Sequence, residues 1–286
     1  MKQFWICLLA LLLLAGCGAE EPADQAPDGE LSPEASTTVP TEGPVTLELE
    51  WETYAPSVEQ VWYVVENTGT ETVEFGEDYH LEMLGEDGAW YDVPWRENAA
   101  VNTIAYILQP GEKHAGTCSF SQFDYDFSGG GTFRVIKVVG DQTLTAEFTL
   151  REGAAISAEA PYGFGPMEDV PEYGDPAELA TTGAVVFTEA GVENADAAET
   201  FLEKVSLGIP CQLRTLQNYY ESWPMLIDVI YENDSFRWRM RTGGEITEKR
   251  FSYIVTDGTD VYLSNGADWD STERYDSDKA FLLPSG

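Results

Sequence analysis

The sequence predicts an all-β antiparallel sandwich over residues 45–150, followed by a small α+β domain over 182–286 in which one helix lies on an antiparallel sheet. Three observations predict it. Apolar and polar residues alternate with period two in 45–51 and again in 142–150, as in half-buried strands. Turn-forming residues recur about every ten positions between these stretches, the spacing of an antiparallel sandwich. A helical period appears only later, where Ala198, Phe201, Leu202 and Val205 fall at i, i+3, i+4 and i+7.

The chain opens on an export segment, residues 1–16. Lys2 precedes the apolar run 4–15, which ends in Leu13-Leu14-Ala15-Gly16 directly before Cys17. A positive start, a short apolar core and small residues at its end define a secretory signal peptide. The run falls short of the roughly 20 apolar residues that a membrane span needs. This stretch resembles the lipobox of bacterial lipoproteins. The resemblance implies cleavage before Cys17, a diacylglyceryl group on its sulfur, and a protein held at the cell membrane on its extracellular face. Two acyl chains anchor firmly where one binds only marginally. Residues 17–44 are rich in Glu, Asp, Pro, Ala, Ser and Thr and hold no basic residue. Such a composition buries too little apolar surface to offset its ordering entropy, so a disordered acidic tether is expected.

In the sandwich, 59–66 is apolar on both faces, as a central strand would be, and Asn67-Thr68-Gly69-Thr70 is a turn because Asn and Gly tolerate positive φ. Short strands are expected at 71–75, 79–84, 90–93 and 103–108. After the Gln109-Pro110-Gly111-Glu112 turn, strands follow at 113–123, 132–139 and 142–150. The stretches 61–82, 87–94, 108–113 and 131–137 resemble bacterial immunoglobulin-like domains of Gram-positive surface lipoproteins. The resemblance implies an immunoglobulin-like sandwich that acts as a spacer or binding module and brings no catalytic residues. Trp62, Tyr63, Trp90 and Tyr91 read as core and cross-strand packing, with Trp95 the candidate exception.

Residues 151–181 lose periodicity and gain Pro, Gly and acid, so they are expected to form a linker whose Tyr162, Phe164 and Met167 can touch a neighbouring domain. Their glycines form no phosphate loop, since no Lys-Ser/Thr pair follows. In 182–286 a strand at 184–188 precedes the helix, where Asp196-Ala197-Ala198-Glu199 has capping-box spacing and Gly208 and Pro210 end it. Strands are expected at 211–219, 225–232, 236–242, 248–256 and 260–264, with hairpin turns at Asn233-Asp234-Ser235 and Asp257-Gly258-Thr259. The two domains are expected to fold separately. The stretches 183–208 and 213–234 resemble an uncharacterised domain family of Gram-positive lipoproteins, which implies a fold and no activity. Where that family reads Glu-Gly-Asp-Pro, this chain has Glu221-Ser222-Trp223-Pro224.

Charge narrows the partners. The chain carries 15 Lys+Arg against 51 Asp+Glu, a formal net charge of −36. That field repels nucleic acid and anionic lipid and favours cationic partners. Cys118 and Cys211 read as buried free thiols, with an interdomain bridge as the alternative. His80 and His114 have no zinc-ligand spacing. Asp268-Trp269-Asp270-Ser271-Thr272-Glu273 and Asp276-Ser277-Asp278 offer oxygen ligands but lack the glycine and spacing of a calcium loop. Among 51 carboxylates some pairs meet by chance, so no glycosidase pair is readable. No nucleophile elbow, HExxH or cofactor fingerprint occurs, and no catalytic residue, metal or cofactor is expected.

One stretch runs against the acidic trend. In Phe236-Arg237-Trp238-Arg239-Met240-Arg241, strand alternation puts the three arginines on one face. Arg237, Arg239 and Arg241 are a candidate anion- or carboxylate-binding stripe. Alternatively they pair internally with Asp228 and Glu232 across the hairpin.

The expected protein is thus a membrane-anchored extracellular lipoprotein that binds or presents a protein, peptide or cell-wall ligand without catalysis. The alternatives are a wall-polymer or peptide hydrolase with carboxylates in the C-terminal domain, and a structural spacer. Replacing Cys17 with Ala should move the protein from the membrane fraction to the medium or leave it unprocessed. Palmitate labelling equal to that of the parent would refute lipidation.

Overall fold

A computed structural model describes residues 34–97, 99, 100, 102–172, 174–218, 224–269 and 279–283. The first domain holds β1 (Val45–Leu49), β2 (Thr53–Tyr54), β3 (Gln60–Asn67), β4 (Val73–Gly76), β5 (His80–Leu84), β6 (Trp90–Asp92), β7 (Ala105–Leu108), β8 (Lys113–Ser119), β9 (Gly131–Val139) and β10 (Gln142–Leu150). Alternation sets their faces: Val45 and Leu47 of β1 and Val61, Tyr63 and Val65 of β3 turn inward. A sheet of order β1-β3-β8 packs over one of order β2-β10-β9-β5-β6, with β4-β7 as a separate ribbon. This is the expected immunoglobulin-like sandwich. Between the layers Phe148 stacks on both Phe120 and Phe133, at ring separations of 5.9 and 5.6 Å.

One buried charge pair sits in this domain. Glu82 is wholly buried, and Arg134 reaches its carboxylate at 2.6 Å while lying 4.4 Å from the Trp90 ring. That pair also orders chain expected to be tether. Ser36 donates its hydroxyl to Glu82 and its N–H to the Trp90 carbonyl at 2.7 Å, and the Thr38 carbonyl accepts from Arg134. Thr41 then exchanges hydrogen bonds with Thr143. The stretch from Ser36 onward is therefore part of the sandwich, because its polar backbone has partners waiting on β6 and β10.

The second domain contains α1 (Pro176–Ala180), β11 (Val185–Thr188), β12 (Gly191–Glu193), α2 (Asp196–Ser206), β13 (Cys211–Gln217), β14 (Met225–Glu232), β15 (Ser235–Thr242), β16 (Glu245–Phe251), β17 (Tyr253–Thr256), β18 (Val261–Ser264) and β19 (Lys279–Leu283). Its main sheet has the order β12-β11-β13-β14-β15-β16, and β17-β18-β19 form a second sheet. Phe201 of α2 packs against β13, and the Cys211 thiol donates to the Phe201 carbonyl at 3.8 Å.

Several expectations are corrected here. The sheet is not wholly antiparallel: β11 pairs parallel to β13, since α2 carries the chain back to the same end. Asp196 is not a cap. Ala195 stands at the N-cap without a side-chain bond, and Asp196 and Glu199 lie inside the first turn, where the helix dipole favours them. The expected strand 248–256 breaks at Ser252 into β16 and β17, and β19 was missed.

The linker touches its neighbour at Met167, as expected, but also carries a helix. Residues 151–181 carry α1 and lay Met167, fully buried, against Val186, Leu216 and Leu226. A fragment of residues 182–286 lacks Met167 and Ala180, both part of that cluster, and should melt at a lower temperature than one of residues 160–286 when followed by circular dichroism. Met167→Ala in the full chain should cost about 2–5 kcal/mol, the usual effect of emptying a buried Met site. A loss below 1 kcal/mol in a denaturant titration would mean that the segment is not part of this core.

Candidate functional site

The arginine stripe lies on β15, between β14 and β16. Phe236 and Trp238 face the buried side, while Arg237, Arg239 and Arg241 are half-buried on the other. Their partners differ from those that alternation suggested. Asp228 stands opposite Arg239 in register, yet its carboxylate is held by Arg214 of β13 through two bonds of 2.7 Å. Glu232 accepts from the Tyr162 hydroxyl at 2.7 Å. Arg239 instead bonds Glu168, from the presumed linker, and reaches Glu248 of β16 at 3.5 Å. Arg241 donates to the Met167 carbonyl at 2.7 Å, and Arg237 has no ion pair among the described residues.

These contacts wall a cleft of about 500 Å³ between residues 163–182 and one end of the main sheet. Phe164, Val170, Leu179, Leu216 and Leu226 give it apolar sides. Gly163, at φ 84°, lets the chain turn so that Phe164 lies over the Arg214 guanidinium, 5.0 Å from ring to Cζ. Arg214 also donates to the Gly165 carbonyl at 2.9 Å. Three of the five Arg214 donors are thus held by structure, whereas only one bond is made by Arg241 among the described residues. Asp169, Glu172, Asp175 and Glu178 also line the cleft, and Asp175 caps α1 by accepting from Ala177 at 3.0 Å. Guanidinium groups hold their protons throughout the physiological range, so Arg214 and Arg241 offer charge and hydrogen bonds rather than proton transfer.

The other expected features fall as follows. Cys17 lies outside the described residues, as do Glu221, Ser222, Trp223 and the acidic stretch from Asp270 to Asp278. Among the described residues no cluster of His, Cys, Asp and Glu could hold a metal ion. Cys118 and Cys211 are free and buried; burial pushes both thiols up, Cys211 to about 12. Trp95 is not an exposed platform, since it packs on Phe123 and Tyr79 at 5.0 and 5.4 Å. The residue that sequence reasoning passed over is Lys137. It is buried, donates to the Gly76 and Asp78 carbonyls at 2.7 Å, and is pulled down to about 8 by desolvation. No motif marks it; only its place on the face of β9 that also carries Phe133, Val135 and Val139 could have flagged it.

Residues 41–149 match the bacterial Ig-like domain family, which agrees with the sandwich and with its start upstream of Val45. No curated protein matches the chain in sequence. Solved structures with some likeness include the alkylpurine DNA glycosylase AlkC of Pseudomonas fluorescens, 16% identical, covering 39% of this chain and 31% of that one at a TM-score of 0.23. This chain thus spans about a third of that glycosylase. The archaellum periplasmic stator protein FlaG of Sulfolobus acidocaldarius is 16% identical over 36% of this chain and 99% of its own, at a TM-score of 0.24. The sporulation control protein Spo0M of Bacillus subtilis is 10% identical over 74% and 91%, at 0.25. Scores this low carry no argument about function. No helix among the described residues is long and apolar enough to cross a membrane.

The Arg239 pairing has a measurable consequence. Its hydrogen bond holds the Glu168 carboxyl below the ordinary Glu range. A lowered carboxyl favours the folded state at neutral pH, and that contribution fades as pH falls through the folded-state value. In Arg239→Gln the Glu168 carboxyl should titrate upward toward its ordinary value in a carbon-detected NMR titration. An unchanged midpoint would show that the pair does not persist in solution.

Proposed function

We propose that this protein is a lipid-anchored module of the extracellular face, tethered through Cys17, whose C-terminal domain binds an amphipathic ligand or peptide segment that presents an acceptor group to Arg241, without turning it over. The observation that carries this reading is the cleft of about 500 Å³, with apolar walls and the unspent donors of Arg241. Apolar walls supply affinity by removing water from the ligand, and a few placed polar groups orient it. The Ig-like sandwich supports the reading as a rigid spacer that carries the cleft away from the membrane. Lys204 of α2 pairs with Glu50 at 2.9 Å and lies 4.7 Å from the Trp51 ring, and Lys113 pairs with Glu203 at 2.6 Å, so the spacer is braced against its cargo domain.

Anilinonaphthalene sulfonate, an apolar anion, is a suitable probe of the cleft. The mature Cys17→Ser protein should bind it saturably in a fluorescence titration. Arg241→Gln should weaken binding by about 1.5–3 kcal/mol, the range for a charge-assisted hydrogen bond, and Leu179→Trp should fill the cleft and reduce it further. Binding unaltered by both variants would place the dye elsewhere and remove the support for the cleft. Turnover of a cell-wall fragment or peptide by the purified protein would overturn the non-catalytic reading.

A further inference from the structure

The sandwich carries a second opening that the C-terminal cleft does not explain. β7 and β8 are joined by the short turn at residues 109–112, yet they do not pair: β7 pairs with β4, and β8 pairs with β3. Their closed end is sealed where the Tyr106 and His114 rings lie 4.0 Å apart. Beyond it the two strands part around a groove of about 410 Å³, lined by Tyr79 and Trp95 at its far end and floored by Lys137. Lys137 gives two of its three N–H donors to the Gly76 and Asp78 carbonyls, so most of its hydrogen-bonding capacity is turned into the domain.

The wall on the β8 side is backbone. The β3–β8 pairing runs without a register shift from Gln60↔Ser119 to Glu66↔Lys113. Hydrogen bonds from Phe120 to Glu59 and from Asn67 to Glu112 fix its phase. Even-numbered residues of β8 therefore bond β3, and the N–H and C=O of odd-numbered residues point to the free edge. At Ser119 that edge is capped, its N–H donating to the Tyr79 hydroxyl at 3.0 Å. At Ala115 and Thr117, both lining the groove, the edge groups have no partner among the described residues. A half-buried row of unpaired main-chain donors and acceptors is a template for another strand.

We propose that the groove beside β8 captures one extended, basic peptide segment by β-strand addition, pairing with the main chain of Ala115 and Thr117. The groove is closed at the Tyr106–His114 end, so it admits a single strand rather than the edge of a second sheet. Alternate side chains would enter among Tyr79, Trp95 and Tyr106, which suits uncharged residues there. The intervening side chains would project into the field of a chain with net charge −36, which suits Lys or Arg. This inference concerns the sandwich alone and does not rest on the C-terminal cleft.

The test uses the mature full-length chain as Cys17→Ser and a fluorescein-labelled octapeptide of alternating Val and Lys. Anisotropy should show saturable binding, and the Ala115 and Thr117 amides should exchange with deuterium more slowly when the peptide is bound. Thr117→Pro removes an N–H that points away from β3, a change that edge strands tolerate. It should weaken binding at least tenfold while leaving anilinonaphthalene sulfonate binding unchanged. Methylating the peptide nitrogens of one alternate set should abolish binding, and methylating the other set should not; this arm leaves the protein unaltered. The proposal is overturned if binding does not saturate, if neither Thr117→Pro nor N-methylation changes it, or if a Gly/Lys octapeptide of equal charge binds as well. It is equally overturned if sedimentation shows that the edge is occupied by a second copy of the chain.

Discussion

The C-terminal half depends on the buried pair of Arg214 and Asp228. Both side chains are almost fully withdrawn from water and meet in a two-point fork. Removing either partner would strand a charge in the interior, a loss of about 3–5 kcal/mol. The pair's role is as much positional as energetic. With the second hydrogen of Nη2 Arg214 takes the Gly165 carbonyl, and its flat face takes the Phe164 ring, which ties residues 163–167 to the sheet. Once that segment is tied, Met167 is committed to the small core with Leu216 and Leu226, and the cleft has its outer wall.

The sandwich uses the same device in another place. Glu82 and Arg134 are buried together, and the donors and acceptors they leave over are used to dock incoming chain at Ser36 and Thr38. In both domains a charge pair inside the fold organises a stretch that composition alone marks as irregular. Such a pair contributes modest net stability, because desolvation offsets most of the attraction. What it adds is a unique position for a segment with few apolar side chains of its own.

The two domains also meet through charge and aromatic contact. Lys204 sits between the Glu50 carboxylate and the Trp51 ring, while Tyr162 bridges from the connecting segment to Glu232. Glu50 is nearly buried there, so this contact is less screened than the exposed pair of Lys113 with Glu203. An acidic chain spends some of its few cations where they join its parts.

Period-two alternation and turn residues were sufficient to mark most of the sandwich strands and the β14–β15 and β17–β18 hairpins, because those signals are local and repeat over many residues. The helix of residues 196–206 was legible for the same reason. The site was only partly legible. Arg239 and Arg241 stood out by residue type, but their partners Glu168 and Met167 lie some seventy residues earlier in a stretch without periodicity, and pairing at that distance leaves no local trace. Lys137 and the free edge of β8 were invisible, since sequence shows which residues alternate and not which strand lacks a neighbour. The sequence by itself thus determined the classes of element, the acidic field and the alternating faces, all of which follow from side-chain chemistry within a few residues. Tertiary structure decided which charges are buried together, which carbonyls remain unpaired and where a cavity opens, because those depend on how distant segments close on one another.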